Sequence, residues 1–246
     1  MGENPHYKDM LNLIRSAGRR HDTYTVFRDF CEMAAISLAN SVHFSKEREE
    51  RYLRAAERHK DQIALFPKIL ACLVDAMTLR VDDYLGRAFH DLELQNRWAG
   101  QFFSPYPICR MMAKITFGGG QEKIIEERGF IRANEPACGA GAMIIALCET
   151  IREAGINYQQ ALHVTAQDID PRAVHMTYIQ LSLLHCPAVV IQGNTLAVES
   201  IEEWRTPAHV LGFWDVKLRQ AAEEEARNAP APAPKPVRKG EQLALF

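Results

Sequence analysis

The stretch Glu135-Pro136-Ala137-Cys138-Gly139-Ala140-Gly141-Ala142-Met143 constrains this 246-residue chain more than any other. The run Gly129-Phe130-Ile131-Arg132-Ala133 before it predicts a short strand. The run Ile144-Ile145-Ala146-Leu147-Cys148 after it predicts an apolar helix. A strand, a glycine turn and a helix in that order make a loop able to cradle a nucleotide. Glycine lets the backbone approach a ligand and take positive φ. The start of the helix points free N–H groups at the same place. Many folds use such a turn only to reverse the chain, so the loop alone leaves both readings open.

The residues beyond the loop extend the pattern. His163 to Gln167 predicts a second strand, ending in Asp168-Ile169-Asp170-Pro171, and a helix runs from Arg172 to about Leu184. A carboxylate at the end of that strand suits a ribose diol, whose two hydroxyls can both donate to it. Capping the next helix is the competing role, and Asp170 before Pro171 suits it. Val189-Val190-Ile191 predicts a third strand, followed by Gln192-Gly193-Asn194-Thr195-Leu196. Alternating strands and helices imply a parallel, doubly wound α/β sheet, with any ligand beyond the carboxyl ends of its strands.

The first 95 residues read as helical. A short helical stretch lies around Met10 to Ile14, and a helix capped by Asp22 or Thr23 carries Val26, Phe27, Phe30, Cys31, Ala34 and Leu38 on one face. A charged helix from Ser45 to Lys60, one from Pro67 and one capped by Asp82 or Asp83 come next. Net charge is −2, so no global basic signature marks a nucleic-acid binder. Six scattered cysteines without a C-x-x-C pair suggest reduced thiols and a cytoplasmic location. No metal-ligand spacing, apolar leader core or membrane-length apolar run is present, so neither a metal nor a membrane partner is expected.

Together these residues resemble S-adenosylmethionine-dependent DNA adenine-N6 methyltransferases. The branch most similar is that of type I restriction modification subunits and small plasmid and phage methylases. Gly100-Gln101-Phe102-Phe103-Ser104-Pro105 is similar to that branch's G-Q-F-F/Y-T-P motif, with serine replacing threonine. Asp83-Tyr84-Leu85-Gly86 to Leu94 resembles its lead-in helix, and Glu135 to Ala142 its D/E-P-A-C-G-S/T-G-G loop. Asp168 matches the acidic ribose residue, and Gly193-Asn194-Thr195-Leu196 the third-strand G-D-S/T-L motif. The resemblance spans roughly residues 80–200. It implies a Rossmann-like methyltransferase fold, with a full or truncated parallel sheet, behind an all-α subdomain. It also implies S-adenosylmethionine as cofactor and DNA as partner. Ser104 and Pro105 would lie by the methionine end. Glu135, Ala137, Gly139 and Gly141 would wrap the cofactor backbone, Asp168 would hold the ribose, and Asn194 would approach the adenine. Asn194 stands where the family usually has aspartate, and its amide can accept and donate.

The family's amine-binding N/D-P-P-Y/F motif is missing, and the sequence assigns no catalytic residue. Thr206-Pro207-Ala208-His209 is the nearest match in spacing. Only residues 195–220 remain before low-complexity sequence, too few for the rest of a methyltransferase sheet or a target-recognition domain. Three readings stay open: an enzyme with a degenerate amine site, a catalytically inactive binding protein, or a subunit completed by a homodimer or partner subunit. The tail reads as a Pro/Ala-rich disordered linker over 221–241, ahead of Gln242-Leu243-Ala244-Leu245-Phe246. This ending resembles the bacterial sliding-clamp-binding peptide, which implies that Gln242, Leu243, Leu245 and Phe246 bind a DNA polymerase clamp. The expected organisation is a helical part over 1–98, a cofactor domain over 99–220, the linker, and the peptide over 242–246.

Overall fold

The computed structural model describes residues 4–94 and 103–228. Gly100, Gln101, Phe102, residues 229–241 and the peptide Gln242 to Phe246 lie outside the described residues. Five helices come first: α1 (Pro5–Gly18), α2 (Thr23–Asn40), α3 (Lys46–Arg58), α4 (Leu65–Leu79) and α5 (Tyr84–Asp91). Four of them begin on a side chain that accepts from first-turn N–H groups, namely Asn4, Asp22, Ser45 and Asp83. The cap at Asn4 and the proline after it explain why α1 outruns the short stretch expected around Met10 to Ile14. Helix α4 starts before Pro67, which sits in its first turn, where no backbone donor is needed.

Helices α6 (Tyr106–Phe117) and α7 (Gln121–Arg128) lead to the sheet. Its strands are β1 (Ile131–Glu135), β2 (Leu162–Asp168), β3 (Ala188–Gln192) and β4 (Glu202–Arg205). Helices α8 (Ala142–Glu153) and α9 (Tyr158–Ala161) connect β1 to β2, and α10 (Pro171–Leu183) connects β2 to β3. The strand order is β1-β2-β3-β4. The first three strands are parallel, with Glu135 beside Ala166 and Asp168 beside Gln192. Strand β4 turns back antiparallel, Glu202 opposite Gln192 and Arg205 opposite Val189. The α/β class and the helical lead-in match the expectation, but the described sheet is one half of a doubly wound arrangement. Both crossovers advance in the same direction, so right-handed connections put α8 and α10 on one face. Among the described residues, β1 pairs with β2 alone and forms an edge.

Helix α10 is the centre of the core. Its residues 172–182 are buried, against β2 and β3 on one side and α2 on the other. The helical lead-in and the sheet therefore share one hydrophobic core, from Tyr7 and Phe30 to Val164 and Trp204. Arg48 of α3 pins the far strand. It stacks 4.1 Å from the centre of the Trp204 ring, donates to Glu202 at 3.1 Å and to the Glu203 carbonyl at 2.6 Å. Arg51 adds a second ion pair to Glu202 at 2.8 Å.

After β4 comes α11 (Pro207–Leu211), and α12 (Trp214–Asn228) closes the described chain. Among the described residues, those up to Trp214 form one compact unit and those from Asp215 a second. Helix α12 takes in residues 221–228, which the composition places in the linker. Alanine and glutamate there are strong helix formers, and the alternating prolines begin only at Pro230. The cysteines form no disulfide, and all but Cys72 are buried. Among the described residues, no helix is long and apolar enough to cross a membrane, and no cluster of His, Cys, Asp and Glu could hold a metal.

Candidate cofactor site

The glycine loop leaves β1 at Glu135 and enters α8 at Ala142. Gly139 has φ +53° and Gly141 φ +95°, a region where side chains are strained. Space is tight as well. A Cβ on Gly139 would lie 2.8 Å from the Phe103 ring, and one on Gly141 would lie 3.1 Å from Thr177 Oγ1. The loop closes on itself through Gly141 N–H to the Cys138 carbonyl (2.8 Å) and is tied to β2 by Cys138 N–H to the Gln167 carbonyl (2.9 Å). Helix α8 has no side-chain cap, so its first N–H groups face the loop.

Asp168 ends β2 beside this loop and is 8% exposed. Its Oδ2 accepts from Gly139 N–H at 2.9 Å and its Oδ1 from Asp170 N–H at 3.0 Å. Asp170 caps α10 by accepting from Arg172 N–H at 2.9 Å, the role its place before Pro171 suggested. Glu135 Oε1 accepts from Ala137 N–H at 3.3 Å. Burial raises the Glu135 pKa above its ordinary value, the Ala137 N–H opposes that, and the neighbouring Asp168 carboxylate adds to it. Two acids thus face one glycine loop at the carboxyl ends of adjacent parallel strands.

The third strand end is locked to the first. Thr195 Oγ1 donates to the Pro136 carbonyl at 2.6 Å, and Gly193 N–H donates to the Asp168 carbonyl at 2.9 Å. Asn194 Oδ1 accepts from Leu196 and Ala197 N–H at 3.0 and 3.3 Å. Its carbonyl is therefore engaged in its own turn, and Nδ2 is the atom that turn does not use. Leu196 is 97% exposed next to it. Phe103 brings the preceding motif to the site by resting over Gly139. Ser104 and Pro105 come directly after it, both exposed, with Pro105 preceding the first turn of α6. The structure so gathers Glu135, Ala137, Gly139, Gly141, Asp168 and Asn194 at one end of the sheet, with Ser104 and Pro105 adjoining through Phe103.

Residues 83–211, just over half of the chain, match the family model described as N-6 DNA Methylase. The chain belongs to this family. The methyl donor of N-6 DNA methylases is S-adenosylmethionine. Among solved structures, a Listeria monocytogenes protein described as a class I S-adenosylmethionine-dependent methyltransferase is 13% identical, with a TM-score of 0.49 over 81% of this chain and 57% of that one. The type I restriction-modification methyltransferase subunit of Streptococcus thermophilus is 18% identical, with a TM-score of 0.37 over 68% of this chain and 40% of that one. This methylase-family chain therefore spans little more than half of the first relative's length and less of the second's. No curated protein matches it.

Thr206 to His209 does not join the cradle. Thr206 Oγ1 accepts from Ala188 N–H at 3.0 Å and donates to the Cys186 carbonyl at 2.8 Å, at the start of β3. His209 lies 2.9 Å from His163, near the start of β2, and Trp214 packs against His163 and, edge to face, against Phe130. These residues occupy the amino ends of the parallel strands, opposite the cradle. The antiparallel course of β4 carries the chain there. Sequence reasoning also missed Thr177 and Gln180, which hold the loop from α10. Their one visible signal is that two polar residues stand one turn apart in a helix that is otherwise largely apolar around them.

The site fits the methyl donor on its own chemistry. A sulfonium and an α-ammonium are cationic, and the loop brings Glu135 and Asp168 with no basic side chain of its own. Asp168 keeps acceptor capacity beyond its two backbone bonds, since a carboxylate offers about four lone pairs.

Proposed function

We propose that this chain binds S-adenosylmethionine at the carboxyl ends of β1, β2 and β3 and serves adenine-N6 methylation of DNA. The observation that carries the reading is the convergence of Glu135 and Asp168 on the positive-φ loop Gly139 to Gly141. Asp168 accepts from the ribose hydroxyls. Glu135 and the backbone of Ala137, Gly139 and Gly141 surround the methionine portion, with Ser104 and Pro105 beside it. Asn194 donates through Nδ2 to the adenine ring. When bound, the donor supplies an activated methyl group. Calorimetric titration with S-adenosylmethionine tests this reading, and no heat of binding to folded protein overturns it.

The acceptor side needs a group that these residues do not bring to the cradle. An N6 amine needs a hydrogen-bond acceptor and a stacking ring once the base leaves the duplex. Thr206, His209 and Trp214 sit at the opposite end of the sheet. This favours a subunit completed by a partner or a second copy, for which the edge of β1, unpaired among the described residues, offers a strand position. The alternative is a catalytically inactive cofactor-binding protein. Transfer of labelled methyl to plasmid DNA, by the protein alone and with co-expressed partners, separates the two.

The tail belongs to the same proposal. Gln242, Leu243, Leu245 and Phe246, on a proline-rich tether, tie the protein to a DNA polymerase sliding clamp in the cytoplasm. Removing residues 242–246 abolishes retention on immobilised clamp and leaves the body folded. Retention unchanged by the truncation refutes the tether.

A further inference from the structure

Behind the cradle lies a buried polar network that the proposed binding contacts do not use. Gln180 of α10 is fully buried. Its Nε2 donates to the Ala140 carbonyl at 2.8 Å and to Asp83 Oδ1 at 2.8 Å, while its Oε1 accepts from Leu85 N–H at 3.2 Å. Asp83, 3% exposed, also caps α5 by accepting from Gly86 N–H at 2.9 Å. One turn before Gln180, Thr177 Oγ1 donates to the Gly139 carbonyl at 2.8 Å. Two consecutive loop carbonyls are therefore held by two side chains of one helix. A trans peptide points its N–H opposite to its C=O. Holding the Gly139 carbonyl toward α10 thus turns the Ala140 N–H away from that helix.

Helix α5 is built flush against the same loop. A Cβ on Gly86 would lie 2.9 Å from the Ala140 Cβ and 2.1 Å from Asp83 Oδ2. Phe89, one turn along α5, meets Phe103 with ring centres 5.2 Å apart, and Phe103 in turn rests over Gly139. A polar contact and an aromatic contact both run from α5 to the loop. Any change in how the loop is held is felt at the start of α5, and the reverse.

We propose that Asp83 and Gln180 are positioning residues that set the peptide orientations of the loop, so that docking of α5 and binding of the methyl donor are one coupled equilibrium. The inference rests on the cofactor-binding reading above. Coupling of this kind is reciprocal: whatever holds α5 in place raises donor affinity, and donor binding holds α5 in place. A partner on the helical subdomain could thereby tune the cradle without touching it.

The chemistry of the network dictates the variants. Gln180→Met keeps length and bulk but removes the donors to Ala140 and Asp83. Asp83→Asn keeps the acceptor oxygen for Gly86 and Gln180, whereas Asp83→Ala removes it. Two readouts apply to the full chain: calorimetric affinity for S-adenosylmethionine, and amide exchange over 137–141 and 84–91 with and without it. We expect Gln180→Met and Asp83→Ala to bind at least tenfold more weakly and to exchange faster over 137–141, with Asp83→Asn close to the parent. Donor binding should slow exchange in 84–91 in the parent and fail to do so in Gln180→Met. Should Gln180→Met not fold, the Asp83→Ala and Asp83→Asn pair carries the same comparison. Parental affinity and parental loop exchange in Gln180→Met, or in Asp83→Ala where that variant must stand in, overturn the inference. A parent that binds no donor overturns the cofactor reading instead, and loop exchange in the unliganded variants then decides the positioning role alone.

Discussion

Asp168→Asn is a nearly isosteric change that separates two accounts of the cradle. The Asp168 carboxylate accepts from Gly139 N–H at 2.9 Å and from Asp170 N–H at 3.0 Å, one donor on each oxygen. An amide has a single oxygen, so whichever way Asn turns, its NH₂ meets one backbone N–H. A hydrogen bond to a charged group contributes about 1.5–3 kcal/mol, and a buried donor left unpaired costs about 1–3 kcal/mol. Gly139 and Asp170 are both half-buried, so water recovers part of the penalty whichever N–H loses its acceptor. The expected loss is about 2–4 kcal/mol of unfolding free energy. For a chain of this size that lowers Tm by roughly 5–15 °C. Relief of the Glu135–Asp168 repulsion offsets a small part of it. Asp168→Ala should cost a similar amount, because it loses both acceptors but creates no donor–donor contact.

Ligand binding sharpens the same test. Loss of the acceptor for the ribose diol should weaken S-adenosylmethionine by about 1–3 kcal/mol, roughly 5- to 150-fold. Urea denaturation and calorimetry on the parent and both variants supply the measurements. If Asp168→Asn keeps the parental midpoint and the parental affinity, Asp168 neither organises the loop nor holds the ribose.

Three further outcomes arise from the charges. The Glu135 pKa is raised by burial first and then by Asp168, so the folded chain holds a proton more tightly than the unfolded one. Its contribution to stability is greatest at low pH and is lost as pH rises through the window just above the usual glutamate value. Binding a cationic donor in that window should release a proton, seen as a buffer-dependent calorimetric enthalpy that Glu135→Gln abolishes. His175 is pushed down to about 3 from 6.5, by burial first and then by Arg51 and Arg48. The unfolded chain takes up this proton first, so stability falls as pH drops from about 6.5 toward 3, and His175→Gln should flatten urea midpoints over that span. Arg48→Lys keeps the charge but cannot both stack on Trp204 and donate to Glu202 and Glu203 as the guanidinium does. It should lose about 1–3 kcal/mol in denaturant titration, and an unchanged midpoint would show that the link from α3 to β4 is only a surface pair.

What the sequence made legible is what local physics dictates. Gly139 and Gly141 need positive φ, Asp22, Ser45 and Asp83 need a following helix to cap, and Asp168 needs a strand to end on. Each requirement is written in a few neighbouring residues. The network behind the loop is not. Asp83 and Gln180 are 97 positions apart, and nothing near either one names the other. Phe103 shows the same limit, since its motif marks it as a loop aromatic and only tertiary contact reveals the glycine beneath it.

Chain direction was the least legible property, and it bears on the acceptor side of the proposed function. Thr206 comes after Asn194 at a spacing that suits an amine-binding motif on a next parallel strand. A parallel strand would return the chain to the end of the sheet that carries Glu135 and Asp168. Strand β4 instead pairs antiparallel with β3, Glu202 opposite Gln192 and Arg205 opposite Val189. Four residues of reversal suffice to set Thr206 on Ala188 and Cys186, at the far end. Composition cannot foretell the choice, because Glu-Glu-Trp-Arg has no pattern that prefers one direction. The preference comes from tertiary anchors: Arg48 and Arg51 on Glu202, and Trp204 buried against His175 and Tyr178. The helical lead-in, through α3, thus helps to turn the last strand away from the cradle. On the proposed reading a methylase that worked alone would need its acceptor site at that cradle, and these contacts set the Thr206 segment at the other end of the sheet.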